Sequence, residues 1–174
     1  MKIRDARAED ADAIARVHVE SSRTTYAEIV PAEYLAKLSV NDRADHWRGV
    51  LSDAAAPEFA FVADDPATGV VGFASGGPER TGELGFAGEL WCIYLLQQAQ
   101  RAGLGRRLVS AVAGRLAELG NASMMVWVLA DNPSRRFYEA LGGIFVADKV
   151  IEVGGKALVE VAYGWRDLRA LTNP

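Results

Sequence analysis

Glu89-Leu-Trp-Cys-Ile-Tyr-Leu-Leu-Gln-Gln-Ala-Gln-Arg-Ala-Gly-Leu-Gly105 changes its period half-way along. Leu90 to Leu96 is an unbroken apolar and aromatic run, which predicts a buried strand. A polar, basic, glycine-bearing loop follows. From there Leu104, Leu108, Val112, Leu116 and Leu119 recur at helical spacing and share one face. Strand, loop and helix in that order make an anion site, because a helix start leaves backbone N–H groups free and carries the positive end of the macrodipole. Gly103 and Gly105 remove the Cβ atoms that would hold an oxyanion away from those N–H groups. Arg101, Arg106 and Arg107 add positive charge, and the loop contains no acid.

The spacing narrows the anion. A Walker A loop needs a lysine after its second glycine, and none is here. A dinucleotide fingerprint needs a third glycine where Leu108 stands, and an acid further on at the ribose distance. What remains is Gln100-x-x-Gly103-x-Gly105. As a bare hexapeptide it also fits a tight strand-to-helix turn. Taken with its flanks, it resembles the acyl-CoA pyrophosphate loop of the GNAT superfamily of N-acetyltransferases. A second segment, Asn132-Pro-Ser-Arg-Arg-Phe-Tyr-Glu-Ala-Leu-Gly142, resembles the GNAT motif whose tyrosine contacts the cofactor sulfur. The resemblance covers nearly the whole chain and is most specific between Glu89 and Trp165.

Composition and pattern agree with that expectation. The chain has 174 residues, half of them apolar, which suits one domain over 1–174 with a sizeable core. A net charge of −4 argues against a nucleic-acid partner. Cys92 is the only cysteine, so no intrachain disulfide can form, and its apolar strand favours a core role over a nucleophilic one. His18 and His46 are the only histidines and lie at no ligand spacing to Cys92, so no metal site is expected. No signal peptide and no membrane-length apolar run is visible, which makes the cytoplasm the expected location and excludes a membrane partner.

The remaining elements follow from period and punctuation. Ile3 to Arg7 reads as a strand and Glu9 to Ser22 as a helix with Ile14 and Val17 inward; Ser21 to Tyr26 reads as a polar break. Pro31 opens a short helix over Ala32 to Leu38, and Asn41 or Asp42 caps a third that carries Trp47. Strands at Glu58–Ala63 and Val70–Ser75 form a hairpin, and glycine-rich Gly76 to Gly88 reads as a loose connection. Ser123 to Ala130 is a buried strand. Asn132-Pro133 starts a helix that ends at Gly142-Gly143, and two strands around Gly154-Gly155 close the chain. This is an α/β protein with a mixed central sheet of about seven strands flanked by helices, the order of the GNAT fold.

The resemblance implies acetyl-CoA as co-substrate and direct transfer of its acetyl group to a primary amine. It assigns Gln100, Arg101, Ala102, Gly103, Leu104, Gly105 and Arg106 to the pyrophosphate. Ile93 and Leu95 would give backbone contacts to the pantetheine arm, and Asn132, Ser134 and Tyr138 would complete the cofactor site. Tyr138 lies at the edge of its helix's apolar stripe and is the candidate acid. Glu89, at the mouth of the organising strand beside Trp91, is the candidate base, with water as the alternative. The acceptor side would draw on Glu20, Arg23, Tyr26, Trp47, Glu83 and Phe86. The acids among these suit a cationic amine and Arg23 suits an amino-acid-like acceptor, so the acceptor stays open. A protein N-terminus or lysine as acceptor, and a non-catalytic acyl-CoA-binding regulator, are the rival readings. Dimers are common in such families, and a homodimer is compatible with the resemblance.

Overall fold

The computed structural model describes residues 1–172. Seven strands form one sheet in the order β1-β2-β3-β4-β5-β7-β6: β1 (Lys2–Asp5), β2 (Phe59–Asp65), β3 (Gly69–Pro78), β4 (Gly88–Leu95), β5 (Met124–Leu129), β6 (Ile144–Val153) and β7 (Lys156–Trp165). All neighbours are antiparallel except β4 and β5. That single parallel pair requires a crossover, and α4 (Leu104–Glu118) supplies it. The remaining helices are α1 (Ala11–Thr25), α2 (Ala32–Ala36), α3 (Val40–Ser52), α5 (Arg135–Ala140) and the short α6 (Arg169–Thr172).

Two layers cover the sheet. On one face α1 and α3 bury Ile14, Val17 and Trp47, and the Trp47 ring meets Phe73 of β3 edge-on at 5.2 Å. On the other face α4 buries Leu104, Leu108, Val112 and Leu116, each no more than 2% exposed. At about 1.5–3 kcal/mol per buried aliphatic side chain, this stripe is what holds α4, and therefore the start of α4, against β4. Leu119, expected on the same stripe, lies past the helix end and is 63% exposed.

Three of the boundaries that differ from expectation do so for a clear local reason. The helix α1 continues through the polar stretch to Thr25, because Thr24 Oγ1 bonds back to the carbonyls of Ser21 and Glu20, while Ser21 and Ser22 are buried. Ser39, not Asn41 or Asp42, caps α3 by accepting the Asp42 N–H at 3.2 Å. The strand β3 runs on to Pro78, so the start of the glycine-rich connection is sheet, paired with β4.

Candidate active site

The end of β4 turns into α4 through a strained loop. Arg101 has φ +60° and Gly103 has φ +76°, so the chain enters the left-handed region twice in three residues. Glycine accepts that conformation at Gly103 freely, while Arg101 holds it against its Cβ. Gly105 is needed for another reason: a Cβ there would stand 3.2 Å from Phe137 and 3.5 Å from Leu95. Among the described residues, the N–H groups of Gly103, Leu104, Gly105 and Arg106 meet no carbonyl oxygen. Four free donors at the positive end of a 15-residue helix, with Arg101 and Arg106 beside them, form an anion cradle.

Next to the loop the sheet divides. β4 and β5 pair only at Gly88–Met124 and Glu89–Met125. Beyond that, β4 follows β3 and β5 follows β7, and the two halves diverge. A bulge helps to part them: Cys92 opposes Ser75 but Leu90 opposes Gly76, leaving Trp91 as the extra residue. From Leu90 to Leu95 the β5 side of β4 therefore has no strand partner; the Leu95 carbonyl accepts from Gln100 Nε2 at 3.1 Å, and the edge before it is open to an extended ligand.

A cleft of about 580 Å³ fills the division. Its wall includes Ile93, Leu95, Gln100, Arg101, Gly103, Gly105, Arg106, Asn132, Ser134 and Tyr138 from the expected set. Two expected loop residues do not line it: the Leu104 side chain is core, and the Ala102 side chain points to solvent. Asn132 is 5% exposed and its Oδ1 accepts the Ser134 N–H at 2.9 Å. It thus closes the turn ahead of α5, whose first residue is Arg135, later than Pro133 would suggest.

Tyr138 is buried on the same face as β7's Tyr163, their rings stacked at 6.3 Å. Burial pushes its phenol above the ordinary value, so the group stays protonated across the physiological range. Its hydroxyl has no hydrogen-bond partner among the described residues. Cys92 also lines the cleft. Its thiol lies 3.2 Å from Ser75 Oγ and is pushed up to about 12 by burial, which makes it a poor nucleophile, although the residue is half-buried on the cleft wall and not in the core.

The Glu89 side chain is held in the sheet, paired to Arg80. It is 1% exposed, lies outside the cleft wall, and both its oxygens are taken by Arg80. Arg80 Nε donates at 3.0 Å, its backbone N–H donates at 3.2 Å, and Nη2 holds the other oxygen. Arg80 also lies over the Trp91 ring at 5.2 Å, so the ion pair braces the bulge. Sequence proximity put Glu89 near the site; the turn between β3 and β4 put Arg80 on top of it.

On the acceptor side only Tyr26 of the expected residues lines the cleft. Trp47 and Phe86 are core, and Glu20 and Glu83 are exposed elsewhere. Arg23 donates to the carbonyls of Leu35 and Leu38. In their place the fold brings Ser21 and Thr25 from α1, Trp127 from β5 and Glu160 from β7. The only available signal for Glu160 was its place in the closing hairpin, and its pairing with Leu129 is a tertiary fact.

Residues 83–151 match the model of the FR47-like protein family. YuaI of Bacillus subtilis (strain 168), described as an uncharacterized N-acetyltransferase, is 44% identical over 169 residues, which is 97% of this chain and 95% of that protein. The chain belongs to the GNAT superfamily of N-acetyltransferases. The GNAT fold is shared with the ribosomal-protein-alanine N-acetyltransferase of Brucella melitensis (TM-score 0.73, 22% identity, 95% of this chain and 99% of that one). It is also shared with yncA of Salmonella typhimurium, solved with its cofactor acetyl-CoA (TM-score 0.70, 19% identity, 97% and 94%).

The observed cleft has the features that an acyl-CoA co-substrate would need. The free N–H groups and arginines of the α4 start offer a cradle for a pyrophosphate, the missing side chain at Gly105 leaves room beside Phe137 and Leu95, and the unpaired edge of β4 is open to an extended arm. When bound, acetyl-CoA supplies an activated acetyl thioester.

Proposed function

We propose that this enzyme acetylates the primary amine of a small-molecule acceptor, with the co-substrate entering from the α4–α5 face and the amine from the α1–α2 face. One observation carries the reading: the cleft passes through the sheet where β4 and β5 part, and residues of both faces line it. Tyr138, Phe137 and Leu141 form the wall on the α5 side, while Ser21, Thr25 and Tyr26 form it on the α1 side. A volume of about 580 Å³ is in the range of small-molecule sites.

In this reading the chain's residues divide the work. The loop from Gln100 to Arg106 anchors the co-substrate, and the β4 edge aligns it through Ile93 and Leu95. The neutral Tyr138 hydroxyl holds the proton that the departing thiolate needs, and burial keeps that proton on the phenol until it is called for. Glu89 serves as a brace for the Trp91 bulge, not as the base. The amine then loses its proton to solvent or to another group on the acceptor side.

The test is thiol release from acetyl-CoA across a panel of primary amines and one short peptide with a free N-terminus. Turnover on small amines with none on the peptide supports the reading. Turnover on the peptide alone replaces it with the protein-acetylating alternative. Acetyl-CoA binding without turnover on any acceptor replaces it with the regulator.

A further inference from the structure

Beyond the transfer reaction, the acceptor half of the cleft has a definite chemical character. Among the described residues that line the cleft, Glu160 is the only acid, and the only cations, Arg101 and Arg106, both stand at the loop on the opposite side. Glu160 lies on β7 opposite Leu129, on the same sheet face as Trp127. Lys149 of β6 pairs with it: the Lys149 Nζ is 3.6 Å from Glu160 Oε2 and 3.9 Å from the centroid of the Trp127 ring. The chain's own primary ammonium thus already rests between this carboxylate and this indole, a seat that suits an ammonium by charge and by cation–π attraction. The seat is shared weakly, since the Lys149 side chain is 41% exposed and Glu160 Oε1 has no partner among the described residues.

Two further cleft residues, Ser21 and Trp127, carry buried polar atoms, Oγ and Nε1, that find no hydrogen-bond partner. A hydroxyl donates and accepts while an indole N–H only donates, and unpaired buried groups of this kind are costly. Arg23, which could have received a carboxylate, is committed to two backbone carbonyls outside the cleft.

We infer that the acceptor is a carboxylate-free primary amine carrying a neutral hydrogen-bonding group, its ammonium seated on Glu160 and its neutral group meeting Ser21 and Trp127. The inference rests on the transfer reading above and narrows its substrate. An acceptor carboxylate would enter beside the Glu160 carboxylate, where the neighbouring cation, Lys149, is already paired with Glu160. Lys149 acts as a competitor for the seat.

The experiment uses four amines of one chain length with acetyl-CoA and the whole protein: 4-amino-1-butanol, n-butylamine, 1,4-diaminobutane and 4-aminobutyrate. The alcohol should give the highest kcat/KM and the carboxylate the lowest, with a gap of about 100-fold. Glu160→Gln should raise KM for the alcohol by about tenfold or more, leave calorimetric acetyl-CoA affinity unchanged, and narrow the gap to the carboxylate. Lys149→Met should lower KM for the alcohol, and this variant carries the test if Glu160→Gln does not fold. A carboxylate acceptor that performs best, or an unchanged KM in Glu160→Gln, or a KM that does not fall in Lys149→Met, overturns the inference while leaving the transfer reading standing. A parent that binds acetyl-CoA and turns over none of the four overturns both.

Discussion

Tyr138→Phe removes one hydroxyl and keeps the ring that packs against Phe137 and Tyr163. That hydroxyl bonds to nothing else among the described residues, so its loss should change stability by less than about 0.5 kcal/mol. The catalytic cost is set by two opposed facts. A positioned general acid is typically worth about 10²–10⁴-fold. The leaving thiol, with a pKa of about 8.5 like cysteine, departs moderately well unaided, and burial has made the phenol a weaker acid than usual. Both facts place the loss near the low end, about 10²-fold in kcat, or about 2.7 kcal/mol at 1.36 kcal/mol per decade. The assay is steady-state thiol release by parent and variant on the best acceptor, with melting temperature and acetyl-CoA affinity measured alongside. A transition-state loss lowers kcat and kcat/KM together. Equal kcat in the two proteins, or a rise in KM alone, would refute the acid role.

Gly105→Val should weaken acetyl-CoA binding by about tenfold or more in calorimetry, because the new side chain crowds Phe137, 3.2 Å from the Cβ, and Leu95 on the cleft wall beside the loop; undiminished affinity in a folded variant would remove the loop from the site. Glu89→Gln should behave as a structural change, costing about 1–2 kcal/mol in chemical denaturation after allowance for the half-exposed Arg80, with kcat within about tenfold of the parent. A loss of about 100-fold or more in an unaltered fold would restore Glu89 as the base. Stability should fall in acid through His18, whose burial lowers its pKa from 6.5 to about 4. The unfolded chain binds the extra proton, so this contribution is whole above pH 6.5 and is lost as pH falls towards 4, amounting to roughly 2 kcal/mol near pH 4.5. His18→Phe, which can keep the 4.5 Å stack on Tyr94, should flatten that part of the melting profile; an unchanged slope would assign it to other groups.

What was legible in the chain was local. The Leu90 to Leu96 run, the helical spacing from Leu104, the Gln100-x-x-Gly103-x-Gly105 loop and the Asn132 to Gly142 segment each hold their information within one or two turns of chain, where periodicity and backbone chemistry act directly. They led to the order of elements along the chain, the glycine loop at the start of α4 and Tyr138 on its helix. Boundaries failed where a side chain made a bond that composition does not announce, as at Thr24 and Ser39.

Tertiary structure decided the rest, because it depended on which strand lies beside which. The parting of β4 from β5 follows from a bulge at Trp91 and from β5 pairing along its length with β7. Glu89 is a strand-mouth acid in sequence, and only the return of the chain through β3 places Arg80 across both its oxygens. Glu160 carries no motif at all. It reaches the cleft because β7 inserts between β5 and β6, and an alternating strand facing the opposite way would have turned it out of the site. A carboxylate's role is set by what shares its low-dielectric surroundings, and those neighbours come from distant parts of the chain.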